Sequence, residues 1–107
     1  MTVPKPLLCA TQAALECLRG DDCTSGLPED FGAPTFMRID LAKKVAVEPH
    51  TTTDNLLQDK SDKRLLLQGR EGGFRWTIVV DQASGELTVT LANRSGAYVL
   101  YGLCTVP

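Results

Sequence analysis

The sequence predicts an all-β protein, a single antiparallel meander of seven to eight strands forming a small barrel or a sandwich. Two observations lead to this prediction. Apolar and polar residues alternate through most of the second half of the chain, and short turn-forming segments separate the alternating runs. A period of two is typical of half-buried strands, and short connections between strands make antiparallel hairpins. The 107 residues fit one domain, 1–107, with residues 1–6 expected to form a disordered tail.

The N-terminal segment, residues 10–18, is open to two interpretations, a strand or a helix. Thr11 could cap a helix, which the run Ala13-Ala14-Leu15-Glu16 would favour. As a strand, the segment places five residues on one face, namely Cys9, Thr11, Ala13, Leu15 and Cys17. We favour the strand because everything downstream has β character. Pro28–Phe31 is expected to form one helical turn, since proline suits a first helical position.

The middle of the chain predicts two strands and a long connection. Residues 36–41 alternate, and residues 42–44 turn the chain into a strand at 45–48. Residues 49–63 are polar, which predicts an exposed connection with at most a short strand near Leu56 and Leu57.

The second half gives the clearest signal. Strands are predicted at 64–68, 74–81, 86–91 and 97–104, separated by the glycine-containing turns 69–73, 82–85 and 93–96. In the second of these strands Trp76 lies on the inward apolar face, which predicts a core tryptophan or the wall of a ligand cavity.

Four cysteines in a small chain predict two disulfides and an oxidising compartment. On one strand, Cys9 and Cys17 would lie about 26 Å apart, which is too far to bond. Cys17 and Cys23 flank a turn and can face each other, which leaves Cys9 with Cys104. Reduced core cysteines are an alternative, and a zinc site is a weaker one because the cysteines are not closely paired. Residues 1–6 lack the apolar stretch of a signal peptide, so the chain would be a mature form, with a native cytosolic start as the competing interpretation.

Several short motifs are distributed over most of the chain, namely Glu16-Cys17 with Cys23, Pro34 through Asp40, Leu67 through Gly69, Trp76 through Asp81, Gly85, and Tyr101 through Cys104. In these motifs the sequence resembles a family of small, uncharacterised, exported β proteins of proteobacteria. The resemblance implies a periplasmic or secreted β protein and supports the strand at the N-terminus. The family has no assigned activity, so it implies no catalytic residue. The alanine-rich run at 10–15 departs from it.

Composition narrows the function further. The formal net charge is −2 with both signs interspersed, so no basic surface for nucleic acid is expected. No apolar run reaches the roughly 20 residues of a membrane span. We expect no cofactor, no metal and no enzyme activity, because no nucleophile–base pair or ligand cluster is visible.

Individual motifs give weak signals. Arg19-Gly20-Asp21 in the loop after Cys17 is the tripeptide of receptor-binding loops, but its residue types also favour an ordinary turn. His50, the one histidine, is expected on the surface. The aspartates at 54, 59 and 62 lack calcium-loop spacing and are expected to be solvated.

The last strand is apolar on both faces. One face carries Val99, Tyr101 and Leu103, and the other carries Tyr98 and Leu100. A half-buried strand should have one polar face, so either loops cover the second apolar face of this strand or Tyr98 and Leu100 form a contact surface. We therefore expect a non-enzymatic exported binding module, with a homodimer as one form. The alternatives are a carrier of a small apolar ligand inside the barrel and an exported inhibitor of a hydrolase.

Overall fold

A computed structural model describes residues 6–47, 52–61 and 63–105. Within these residues the chain forms nine strands and one 3₁₀ turn, Pro28–Phe31. The strands are β1 Leu7–Leu18, β2 Thr24–Gly26, β3 Phe36–Asp40, β4 Val45–Val47, β5 Thr52–Ser61, β6 Arg64–Glu71, β7 Phe74–Asp81, β8 Glu86–Asn93 and β9 Gly96–Cys104. The predicted all-β meander and the helical turn are confirmed. Apart from Pro6, the expected tail at 1–6 lies outside the described residues.

All strands belong to one antiparallel sheet with the order β2-β1-β3-β4-β5-β6-β7-β8-β9, so a sandwich of two separate sheets is not found. The sheet coils because β1 also pairs with β9. The coil is not closed into a barrel, because β5 pairs with β4 only through 52–54 and with β6 from Asn55 onward. Among the described residues, no strand pairs with the other edge of β5 from Leu57 to Ser61.

The inner face of the coiled sheet forms the core. Alternate residues of β6 to β9 point inward, as their periodicity predicts. The buried apolar set is Leu7, Cys9, Ala14, Met37, Ile39, Ala46, Leu65, Leu67, Trp76, Ile78, Val80, Leu87, Val89, Leu100 and Cys104. Side chains from almost every strand therefore fill the interior between the two sides of the coil.

The prediction of a long exposed connection at 49–63 is wrong for its described part, since Thr52–Ser61 forms β5. The strand could not be recognised from its polar sequence, because backbone hydrogen bonds to β6 hold it in the sheet. β5 bonds to β6 along 55–61 and lies at an edge of the sheet, where no apolar alternation is needed.

The strand interpretation of residues 10–18 is confirmed, since they lie in β1. The prediction that one face carries Cys9, Thr11, Ala13, Leu15 and Cys17 is wrong. A β-bulge lies between Thr11 and Ala13, where the pairing of β1 with β9 shifts. The extra residue, Gln12, changes the parity of everything after it. Cys9 and Thr11 are buried before the bulge, and Ala14 is buried after it, three residues from Thr11.

Both disulfides expected from the spacing are present, Cys9–Cys104 and Cys17–Cys23. The bulge places them in different surroundings. Cys9 and Cys104 are buried and join the first strand to the last, whereas Cys23 is exposed in the loop that follows β1.

Candidate functional site

The predicted contact surface of Tyr98 and Leu100 has to be corrected. Both residues have the inward parity of β9, and Leu100 is 0% exposed. Leu100 therefore cannot contact a partner. The position of Cys104 in the sequence indicates this orientation. Cys104 follows Leu100 by four residues, an even number, so both side chains lie on the same face of β9. Because the Cys9–Cys104 disulfide lies in the core, that face is the inner one.

The apolar face that does reach solvent lies on the outside of β3, β1 and β9. It is formed by Leu8, Phe36, Tyr101 and Leu103, which are between 42% and 48% exposed. Ala10 pairs with Phe36 on one side and with Leu103 on the other, so three strands contribute to one row. We call these four large residues and Ala10 the outer face. A contiguous exposed apolar patch of this kind marks an interaction surface more often than scattered apolar residues do.

Charges of opposite sign flank the outer face. Arg38 on β3 pairs with Leu8 and is exposed. Glu86 on β8 pairs with Leu103 and is also exposed. The outer face therefore has a positive flank on β3 and a negative flank on β8, with apolar side chains between them.

A second feature lies on the inner side, at the end of the coil opposite the β1 N-terminus. This end cleft has a volume of about 340 Å³ and is half open to solvent. Its lining consists of Phe31, Gly32, Ala33, Pro34, Glu71, Phe74, Leu91 and Tyr98. Three of these are aromatic, and one is a carboxylate.

Tyr98 lies between the two phenylalanines of the end cleft. Its ring centroid is 6.0 Å from that of Phe74, in an edge-on arrangement, and 6.4 Å from that of Phe31, in a tilted one. Both distances are in the range of favourable aromatic pairs. The rings come from the 3₁₀ turn, β7 and β9, so no single sequence motif predicts that they lie together.

The bulge in β1 places a second carboxylate next to this cluster. After Gln12, Glu16 has inward parity and pairs with Tyr98 across the β1–β9 ladder. The Tyr98 hydroxyl donates a hydrogen bond to the Glu16 carboxylate. This bond, burial of the phenol and the charge of Glu16 raise the pKa of Tyr98 above its ordinary value of 10.0. In a regular strand Glu16 would point to the opposite side.

Hydrogen bonds hold the wall of the end cleft at residues 31–34. The Thr11 hydroxyl donates to the carbonyl oxygen of Pro34 at 2.6 Å, and the Thr11 N–H donates to the carbonyl of Thr35 at 3.0 Å. Thr11 is only 8% exposed. Gly32 closes the 3₁₀ turn with a φ of 70°, a left-handed conformation that suits glycine. This wall is therefore fixed to β1 before any ligand arrives.

Trp76 is buried in the core, and it also lines a cleft of about 270 Å³ with Leu57, Gln68, Gly69, Arg75 and Thr77. Gly69 is its cross-strand partner on β6. A glycine opposite the indole leaves room for the large ring. The interpretation of Trp76 as a core residue is confirmed, and its role as the wall of a ligand cavity stays a prediction.

The other sequence motifs are dispersed. The Arg19 side chain donates to the carbonyl of Arg94 at 3.0 Å, which ties the Arg19-Gly20-Asp21 loop to the β8–β9 turn. His50 and Asp62 lie outside the described residues, and Asp59 is exposed on β5. In the described ranges, no group of three or more His, Cys, Asp and Glu residues could hold a metal ion.

Comparison with known proteins adds no relative, since no family model, curated protein or solved structure matches the chain. In the part of the chain that the structure describes, no helix has the length and apolar character needed to cross a membrane. The outer face and the end cleft are therefore the two candidate sites of this protein.

Proposed function

We propose that this chain is a non-enzymatic, exported protein-interaction module that binds a second copy of itself through the outer face. The observation that carries the proposal is the row of exposed apolar side chains across β3, β1 and β9. Leaving Phe36, Tyr101 and Leu103 in water is unfavourable, and a protein partner would remove apolar area at roughly 25 cal/mol per Å².

The flanking charges favour a second copy as the partner. A two-fold axis running along the strands, between β1 and β9, would place β3 of one copy over β8 of the other. In the row that joins Phe36, Ala10, Leu103 and Glu86, Ala10 of each copy would then lie over Leu103 of the other and Phe36 over Glu86. Arg38 lies two residues along β3 from Phe36, which would bring its long side chain near the same Glu86. A closed dimer uses one self-complementary patch in this way. The same charges would repel a partner whose flanks carry the wrong sign.

Export is supported by the two disulfides, because such bonds persist in oxidising compartments and are rare in the cytosol. Protein isolated from its native host and alkylated without reduction should gain no alkyl groups on its four cysteines. Four modified cysteines would contradict export. The resemblance to exported proteobacterial proteins points the same way and awaits the same test.

The alternative functions have less support. A carrier would need space inside the coil, where core side chains such as Ile39, Leu67 and Leu100 are almost fully buried. The cleft beside Trp76 is the feature that favours a small apolar ligand, and native mass spectrometry would detect such a ligand as added mass. The hydrolase inhibitor stays a hypothesis, for which no described feature argues specifically.

Sedimentation equilibrium over a range of protein concentrations tests self-association. We expect a monomer–dimer equilibrium for the wild type and a monomer for Phe36→Ser/Leu103→Ser. Leu57→Ser is the matched control, since Leu57 is equally exposed (47%) but lies on β5. A wild type that stays monomeric at every concentration, or a Leu57→Ser variant that dissociates as strongly as the outer-face variant, would refute the proposal.

A charge exchange tests the orientation of the two copies. Arg38→Glu places two negative flanks opposite each other and should weaken association. Arg38→Glu/Glu86→Arg restores opposite charges across the two-fold axis and should recover it. If the exchanged variant associates no better than Arg38→Glu alone, the two-fold arrangement is wrong even if a dimer exists.

A further inference from the structure

We propose that the end cleft binds the guanidinium group of an arginine side chain on a partner protein. The end cleft lies on the inner side of β9, and the outer face lies on the other side of the same strand. The inference therefore stands independently of self-association.

The walls and the charge of the end cleft together define the ligand. Phe31, Phe74 and Tyr98 present aromatic rings, and Glu71 contributes a carboxylate to the same lining. No residue in that lining is basic. Aromatic faces attract cations through the ring quadrupole, and a carboxylate attracts them directly, so both components favour a positive group.

Glu71 is available for such a ligand. Glu71 is half-buried, and its carboxylate makes no hydrogen bond and no ion pair with the described residues. Glu71 has inward parity on β6 and pairs with Phe74 across the hairpin, which places its carboxylate on the cleft side of the sheet. Arg70 and Arg75, which pair next to it, are exposed on the opposite face and do not neutralise it there.

Other ligand classes fit less well. An anion would meet Glu71 and, beside Tyr98, Glu16. A neutral apolar ligand would cover the Glu71 carboxylate and strip its water without offering a partner in return, which is costly. A lysine ammonium is more strongly hydrated than a guanidinium and cannot stack as a plane. A guanidinium can stack on the rings and donate two parallel hydrogen bonds to one carboxylate.

The end cleft is also formed in advance. Thr11 fixes the Pro34 side of the wall, and the Tyr98 ring packs between Phe31 and Phe74. A site whose walls need no ordering loses less free energy when a ligand binds. The cleft therefore combines charge, shape and rigidity suited to a flat cation.

Backbone-amide NMR titrations with N-acetyl-Gly-Arg-Gly amide test the proposal. We expect saturable shifts at residues 31–33, 71–74 and 98. The same peptide with citrulline, a neutral isostere of arginine, should bind about fivefold more weakly or worse, because it lacks the charge that the rings and Glu71 attract. The lysine peptide should fall between the two.

Two variants locate the interaction. Glu71→Gln keeps the shape of the cleft and should weaken arginine binding by about fivefold, and Phe74→Leu should weaken it by about threefold through loss of one ring. Asp59→Asn removes an exposed carboxylate from β5 and should leave binding unchanged. An unfolding curve of each variant shows that the fold is retained.

Several results would overturn the proposal. They are the absence of saturable shifts at the cleft, equal affinity for arginine and citrulline peptides, tighter binding of the lysine peptide, or unchanged affinity in Glu71→Gln. None of these results depends on the oligomeric state, so a monomeric protein that binds arginine would separate this inference from the proposed function.

Discussion

The two disulfides should contribute unequally to stability, and the difference follows from the lengths of the loops they close. Cys9 and Cys104 are separated by 95 residues, and Cys17 and Cys23 by 6. A disulfide restricts the unfolded chain more strongly when it closes a longer loop. The chain-entropy relation gives about 4.7 kcal/mol for the long loop and about 2.2 kcal/mol for the short one at about 25 °C.

Burial acts in the same direction. Cys9 is fully buried and Cys104 is 8% exposed, so replacing both with alanine also removes apolar contacts from the core. Cys23 is exposed, and its replacement leaves the core unchanged. The calculated difference of about 2.5 kcal/mol between the unfolding free energies of the two variants is therefore a lower bound.

Urea unfolding of Cys9→Ala/Cys104→Ala and of Cys17→Ala/Cys23→Ala measures this difference. With an m value of about 1.5 kcal/mol/M, the two midpoints should differ by about 1.7 M, with the first variant less stable. Intact-mass analysis after alkylation confirms that the remaining disulfide has formed in each variant. Equal midpoints, or a lower midpoint for the second variant, would refute the reasoning that the long loop dominates.

Three further perturbations test local features by urea unfolding and titration. Gly102→Ala should destabilise the fold by at least about 2 kcal/mol, because its Cβ would collide with the backbone of β1, whereas Gly73→Ala, with open space at its Cβ, should cost under about 1 kcal/mol. Thr11→Val should lower the free energy of unfolding by about 1–2 kcal/mol, because the hydrogen bond of the Thr11 hydroxyl is lost. A urea midpoint equal to that of the wild type would contradict this expectation. Glu16→Ala should lower the raised pKa of Tyr98 toward 10.0 in a phenolate absorbance titration, with Tyr98→Phe identifying the signal. Since folding raises this pKa, the phenol's contribution to stability is present below pH 10.0 and is lost as pH rises through the folded-state pKa.

Strict alternation explains which strands the sequence could predict. β7 matches its predicted bounds at Phe74 and Asp81, because each inward position is apolar and the turns on both sides contain glycine. β5 could not be found in this way. Its residues are mostly polar, and its pairing with β6 depends on backbone groups that leave no periodic signal.

The orientation of the site residues was harder to predict than the strands themselves. On β9, the two alternating sets are both apolar, so hydropathy could not tell the inner set from the outer one. The disulfide between Cys9 and Cys104 could have decided it, because Cys104 shares its parity with Tyr98. The end cleft could not be predicted from the sequence, since only the topology of the sheet brings Phe31, Phe74 and Tyr98 together.

One bulge in β1 determines how the two proposed surfaces are divided between the faces of the sheet. Before Gln12, the outward positions of β1 are Leu8 and Ala10, which belong to the outer face. After it, parity changes, and Glu16 turns inward to accept the Tyr98 hydrogen bond beside the end cleft. A regular strand could keep Leu8 outside only by placing Glu16 outside as well, which would leave Tyr98 without its partner. The bulge therefore lets one strand supply apolar residues to the outer face and a carboxylate to the inner one, and bulges commonly redirect side chains near functional sites.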